Sequence, residues 1–430
     1  MKTHRITRRQ CLAAVGGGAV LAGRANARQS PRDRLNDRLY DPGDGLLGVR
    51  QGTLGMRGLH ADQVYRFQAE PAKRVVVSEP PCGKPVIEAL KNGDLLAAYS
   101  RNYWGGAGPR EKERPLMNEV RWSSDGGLTW SEPVRPFSLD QVGPTYEGRL
   151  IVFPDGRLVI ASIAVKDGNR PGPYLSVSTD HGRHWSPPWK LDLSIVWPDG
   201  HGWPTRQNIV NPDGSLVLMC NNYARDQRQN WRCFAFHLDP DLRTLRDHWL
   251  IGMHCHDQSF VRLESGKWVA IWRIDGLTIP RDQLPYGYVP EWDDGNEGHD
   301  FLAATESPDG GRSWSVRRPV TGYMEVPGHL LQLRDGRLLL TYGVRHYPMG
   351  AQALLSRDEG LTWEKEDSYM LAWHGAFFWN SPGLHPYPNG HPYSAQRQDG
   401  DIISVYYRAA DPKDYRSTLV EAVIWKLPPQ

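Results

Sequence analysis

Asp155-Gly156-Arg157-Leu158, a polar turn that opens into the apolar run Leu158-Val159-Ile160-Ala161, is one of six copies of the same device along the chain. The others are Asn92-Gly93-Asp94-Leu95, Asp213-Gly214-Ser215-Leu216, Ser265-Gly266-Lys267-Trp268, Asp335-Gly336-Arg337-Leu338 and Asp399-Gly400-Asp401-Ile402. In each, an Asp, Asn or Ser can bond a nearby backbone amide and the glycine supplies positive φ, so each reads as a tight turn between two strands. Successive glycines stand 63, 58, 52, 70 and 64 residues apart. That interval is too long for a solenoid and suits a four-stranded blade with some long loops. The chain therefore reads as all-β, a six-bladed β-propeller.

A second repeat sets the phase of the blades. Ser123-Ser124-Asp125-Gly126-Gly127-Leu128-Thr129-Trp130 recurs as Ser178–Trp185, Ser307–Trp314 and Ser356–Trp363. Asp and Ser bond the turn's amides, glycine turns the chain, and Trp packs the turn onto its blade, so these residues are structural. The 129 residues between the second and third copies leave room for one degenerate copy, expected around Asp239-Pro240-Asp241.

With strands a to d running outward from the axis, the Asp-Gly turns join a to b and the Ser-x-Asp turns join c to d. Both lie on one face, so an active site is expected on the other. That face receives the starts of the a strands: Tyr146-Glu147, Arg206-Gln207, His254-Cys255-His256-Asp257, Gly328-His329 and His391-Pro392-Tyr393. It also receives Arg101, Arg273 and Arg345, which follow the b strands, and the long loops Arg101 to Asn118, Asp275 to Asp300 and Arg345 to Pro348. Loops of such length are often functional. The reading is a pit rich in Arg, His, Tyr and carboxylate. His254-x-His256 has the composition of a metal pair, but alternate strand residues point to opposite faces, so neither metal nor cofactor is assigned.

The ends and composition narrow the class. Thr7-Arg8-Arg9-Gln10-Cys11-Leu12, the apolar run to Gly23 and Ala25-Asn26-Ala27 resemble a twin-arginine export signal, expected to cover 1–27 and to place the mature chain in the periplasm or outside the cell. Its twelve apolar residues fall short of the ~20 needed to span a bilayer, so no membrane span is expected in the mature chain. Residues 28–74 are read as a lead-in, with a closing strand around Val64 to Phe67 or Val75 to Val77, and 75–430 as the propeller. The leader holds five Lys/Arg and no acid, so its loss takes the formal charge from +2 to about −3, which gives no electrostatic case for nucleic acid. Cys82, Cys220, Cys233 and Cys255 lack zinc spacing; a Cys220–Cys233 bridge and single buried thiols are both open.

Four Ser-x-Asp turns in propeller phase resemble the sialidase superfamily over residues 75 to 428, whose members are six-bladed propellers with such Asp boxes. The resemblance implies a tyrosine nucleophile before the last Asp-Gly turn, matched by Tyr393-Ser394, with Asp257 in place of the glutamate that serves as its base. It implies a carboxylate clamp of arginines, with Arg273 as its second member and Arg345 as its third. The first clamp position reads Gly83-Lys84-Pro85, with Lys84 one residue off and expected on the other side of its strand. The acid/base aspartate of the first blade is also missing; Glu111, Glu113, Glu119 and Glu147 are substitutes, of which Glu147 enters the pit. Arg206, Arg101 and His329 complete the expected binding set.

The expected function is an exported sialidase-like glycoside hydrolase that releases terminal, acidic sugars from a glycan or polysaccharide. A uronate-directed polysaccharide lyase and a non-catalytic glycan-binding propeller are the alternatives.

Overall fold

The computed structural model describes residues 63–65, 69–103, 115–165, 171–197, 202–222, 231–274, 300–322, 324–345, 350–365, 368–373, 389–411 and 414–427. The expected leader, Glu111, Glu113, Trp292 to Asp294, Glu297 and His346 to Pro348 lie outside them.

The described strands form six antiparallel blades. Blade 1 is Cys82–Ala89, Leu95–Arg101 and Met117–Ser123, with Val134 bridged to Val120 on its outer edge. Blade 2 is Thr145–Val152, Leu158–Ala164, Tyr174–Ser178 and Trp189–Lys190. In blade 3, Trp203–Pro204 and Ile209–Val210 share the inner edge of Leu216–Asn221, followed by Arg232–Leu238 and Leu245–Met253. Blade 4 is Cys255–Arg262, Trp268–Ile274, Phe301–Ser307 and Arg318–Pro319; blade 5 is Gly328–Gln332, Leu338–Val344, Gly350–Ser356 and Tyr369–Trp373. Blade 6 is Asn389–Gln396, Ile402–Asp411 and Asp414–Trp425, completed from the other end of the chain by Ala69–Ser78.

The b strands explain the continuous apolar runs in the sequence. Leu158–Ala164, Trp268–Ile274 and Leu338–Val344 are buried at every residue, as strands covered on both faces must be. Each apolar cluster joins neighbouring blades: Leu216 and Phe236 pack with Val159, Trp268 with Met219, Leu338 with Ile271, and Ile402 with Leu339. Among the described residues each cluster draws on more than one blade, so the blades are packed as one body.

Both repeats fall where the sequence put them. The six Asp-Gly turns link a to b strands, and the Ser-x-Asp turns link c to d. Asp125 Oδ1 accepts from the amides of Leu128 and Thr129 while Ser123 Oγ accepts from Gly127, and Asp309 and Ser307 repeat the pattern. The degenerate copy is also a turn of this kind, with Asp241 Oδ1 accepting from Arg243 and Thr244.

Both segments offered for closure are used. Ala69–Ser78 runs along the outer strand of blade 6 from Ala72 opposite Trp425 to Ser78 opposite Val420, so the propeller begins ahead of the expected boundary at 75. Gln63–Tyr65 pairs with it and touches blade 5 at Met370. Cys82, Cys220, Cys233 and Cys255 are free and buried; Cys220 faces Phe234, and Cys233 faces Asn221. Among the described residues no helix is long and apolar enough to cross a membrane.

Arg74 pins the seam, donating at 2.7 Å both to the Tyr406 hydroxyl of blade 6 and to the Leu371 carbonyl of blade 5. Arg74→Ala removes these bonds and is expected to cost about 1–3 kcal/mol, read as an earlier midpoint in denaturant unfolding with an unchanged slope.

Candidate active site

The inner strands of blades 1, 2, 4 and 6 share a defect. Pairing jumps from Gly83/Ser100 to Val86/Ala98, from Tyr146/Ile163 to Arg149/Ala161, from His256/Arg273 to Ser259/Ile271, and from Gly390/Tyr407 to Tyr393/Val405. At each jump two residues oppose one, the arrangement of a β-bulge. Its first residue lies in the left-handed region: Lys84 at φ 54°, Glu147 at 54°, Asp257 at 50° and His391 at 47°. Non-glycine residues hold that conformation at a cost of about 1–2 kcal/mol each, and such strain clusters at functional sites.

The bulge overturns the simple alternation that put Lys84 on the far side of its strand. Lys84 Nζ lies 3.0 Å from Glu147 Oε1 and 2.5 Å from His391 Nε2, so three blades meet at one point. Gly83 permits this, since a side chain there would collide with the Tyr103 ring, over which the Lys84 ammonium position lies at 5.7 Å.

Charge is arranged around that point. Glu147 Oε2 accepts from Arg149 at 2.5 Å. Asp257 Oδ2 accepts from Arg273 Nη1 at 3.0 Å, and Arg273 also holds Asp300 through Nε at 2.7 Å and Nη2 at 2.6 Å. Arg206 donates to His391 Nδ1 at 3.0 Å and to the Pro392 carbonyl at 2.6 Å. Arg345 is buried and close enough to lower the proton affinity of Lys84 and His391. Tyr103 stacks on Tyr146 at 5.8 Å and meets Tyr407 edge-on at 5.5 Å; Tyr146 in turn meets Trp203 at 5.6 Å.

Protonation follows from these neighbours. Desolvation opposes charge on Asp257, but His256, Arg273, Lys84 and Arg149 hold its carboxyl well below the usual range. Glu147 is likewise held down by Lys84 and Arg149 against desolvation. Burial pulls Lys84 down to about 8 and, with the surrounding cations, keeps His391 neutral. Burial pushes the Tyr407 phenol up to about 12. Among the described residues Arg149, Arg206, Arg273 and Arg345, joined by Lys84 when it is protonated, thus outnumber Glu147, Asp257 and Asp300. Buried cations in such excess favour an anionic ligand. Among the described residues no group of His, Cys, Asp and Glu side chains is arranged to hold a metal ion.

The expected residues divide into those that meet and those that do not. Glu147, Asp257, Arg273, Arg206 and Arg345 gather in the pit. Tyr393 does not reach Asp257: it is 1% exposed, its hydroxyl lies 3.3 Å from Glu88 Oε1 and 3.4 Å from the Arg206 carbonyl, and its ring stacks on His329. The blade 6 bulge turns His391, not Tyr393, into the pit. His329 lies beneath, its Nδ1 accepting the Ser394 amide at 3.2 Å. Arg101 is drawn away to Glu119 at 3.0 Å, the Ser78 hydroxyl and the Glu79 carbonyl, tying blade 1 to the closing strand. Glu119 also carries Arg135 and is no acid/base substitute.

Sequence reasoning placed His391 at the pit without assigning it a role and missed Lys84, Arg149, Asp300 and Tyr407 as pit residues. One shared signal ties Lys84 and His391 to the two carboxylates. Lys84, Glu147, Asp257 and His391 each stand nine residues before a turn glycine, at Gly93, Gly156, Gly266 and Gly400.

No protein-family model and no curated protein sequence matches the chain. Solved structures do, and they define the class by fold: this is a six-bladed propeller of the sialidase-like kind. A protein of unknown function from Dyadobacter fermentans DSM 18053 is similar at TM-score 0.62 and 19% identity, over 85% of this chain and 100% of that one. The alpha-L-arabinanase of Penicillium chrysogenum, complexed with arabinobiose, gives 0.56 and 15% over 82% and 97%. A Hadza microbial sialidase gives 0.56 and 15% over 83% and 68%.

Beneath the pit, desolvation pushes the Glu88 carboxyl up to about 8. A raised carboxyl favours the folded state most at acid pH, and that contribution is lost as pH rises through the folded value. Measured by denaturant titration, the stability of the unaltered protein relative to Glu88→Gln should therefore fall between pH 5 and 8.

Proposed function

We propose that the chain hydrolyses glycosidic bonds at a sugar that carries a carboxylate, with the glycan entering the axial pit. The observation that carries this reading is the buried excess of cations facing two ionised carboxylates, Glu147 and Asp257. In this reading Arg273 and Arg345 hold the sugar's carboxylate, and guanidinium–carboxylate contacts also orient the ring. Glycoside hydrolysis proceeds through an oxocarbenium-like transition state flanked by two carboxyl groups, and ionised Glu147 and Asp257 suit the stabilising, nucleophilic or basic part of that work. The pit phenol of Tyr407 keeps its proton and lies beside His391, at 5.9 Å between rings, available to the leaving oxygen. The sialidase and the arabinanase among the similar structures agree with a glycan substrate. The leader-like residues support action outside the cytoplasm.

Elimination from a uronate is a second reading, favoured by one feature: Lys84, a lysine of lowered proton affinity beside the neutral His391, is a suitable base for a proton adjacent to an arginine-held carboxylate.

The test is incubation with sialylated and uronate-containing glycans, reading released sugar together with ultraviolet absorbance of unsaturated product. Released saturated sugar supports hydrolysis, absorbance moves the enzyme to elimination, and silence on both favours another terminal sugar or simple binding. In the active case Glu147→Gln and Asp257→Asn should each lower kcat about 100- to 10,000-fold, since such groups contribute about that much. Arg273→Ala should raise KM for the acidic substrate but not affinity for a neutral analogue. Tyr393→Phe should keep kcat within about threefold, because its hydroxyl is bonded below the pit; loss of turnover would restore it as the nucleophile.

A further inference from the structure

Two distances on one imidazole decide where a proton sits. Arg206 Nη1 lies 3.0 Å from His391 Nδ1, and Lys84 Nζ lies 2.5 Å from His391 Nε2. A guanidinium only donates, so Nδ1 accepts and the ring's single hydrogen belongs on Nε2. A doubly protonated ring is excluded on the same ground, because Nδ1–H would then face the Arg206 donor. The Nε2–H bond therefore points at Lys84 Nζ. An ammonium there would set donor against donor, whereas an amine accepts from His391 through its lone pair and donates one hydrogen to Glu147 Oε1 at 3.0 Å.

We propose that above its own titration point Lys84 is an uncharged amine until an acidic ligand binds, and that the ligand's carboxylate then charges it, so that on that alkaline side the pit takes up one proton with each acid it binds. This rests on the functional reading above for the ligand's chemistry. Lys84 is then the residue that separates an acidic sugar from its neutral analogue, through charge that exists only in the complex. An arginine at this place could not do so, because it cannot shed its proton.

The surroundings support that state. Lys84 faces Glu147 of blade 2, Asp257 of blade 4, Arg345 of blade 5, His391 of blade 6 and the ring of Tyr103. Burial lowers its proton affinity to about 8, Arg345 lowers it further, and Glu147 and Asp257 act against them. A bound carboxylate adds attraction and raises the value. Affinity for the acid is then greatest below the ligand-free value and falls up to tenfold per pH unit above it, until the value of the complex is reached.

Two measurements test this on the full chain. In lysine-labelled protein, with Lys84 assigned through Lys84→Arg, the side-chain NMR signal of Lys84 should titrate near pH 8, well below the exposed lysines; a midpoint near 10 overturns the proposal. Calorimetry at pH 9 with glucuronate and N-acetylneuraminate, in buffers of different ionisation enthalpy, should show uptake approaching one proton. The methyl ester of the acid should bind without uptake, and Lys84→Arg and Lys84→Met should take up none while the former still binds the acid. No uptake by the unaltered protein overturns the proposal. If neither acid binds, the functional reading fails, and the NMR midpoint still decides the state of Lys84.

Discussion

The pairing of Ala69–Ser78 with Asp414–Trp425 ties both ends of the propeller into one sheet, and the axial pit depends on that seam. Every apolar cluster spans neighbouring blades, so opening the ring at one place exposes apolar surface on both sides of the break. Side chains from blades 1, 2, 4 and 6 converge only in a closed ring. A site to which all six blades contribute thus borrows its rigidity from a strand that contributes nothing to its chemistry.

Closure brings the inner strands together, and the bulges decide what they present. Regular pleating would point successive side chains to opposite faces and leave the axis lined by whatever residue the register supplied. Left-handed residues at Lys84, Glu147, Asp257 and His391 break that rule in the same way four times. The strain is local, and blade-to-blade packing on either side holds it. Its product is a pit where like charges lie close: burial first, and then the positive charge of Arg149, draw the proton affinity of Arg206 down to about 10. An arrangement so rich in cations is costly without an anion, and in that sense the ligand's charge is part of the site's design.

The fold was legible because it repeats. Six Asp-Gly turns and four Ser-x-Asp turns are local objects, each stabilised by its own hydrogen bonds, and their order along the chain is enough to count blades and assign faces. The degenerate turn at Asp241 was located from spacing alone. Glu147, Asp257, Arg206, Arg273 and Arg345 were also legible, since each begins an inner strand or ends a second one. The depth of Tyr393 was not legible for a physical reason: a bulge moves the axial position by two residues, and a tyrosine before a serine looks the same whether its ring faces the pit or lies beneath it against His329.

Sequence by itself determined the blade count, the phase of the strands, the face that bears the site and the residue types available there. These follow from turns whose chemistry is complete within a few neighbouring residues. Only the tertiary structure decided which of those residues meet. Lys84 contacts His391 across 307 positions and Arg206 contacts it across 185, and neither distance is written in local propensity. Protonation was decided there too, because desolvation and the charges of other blades, not the residue's own identity, make Lys84 readily lose its proton and hold Asp257 firmly ionised.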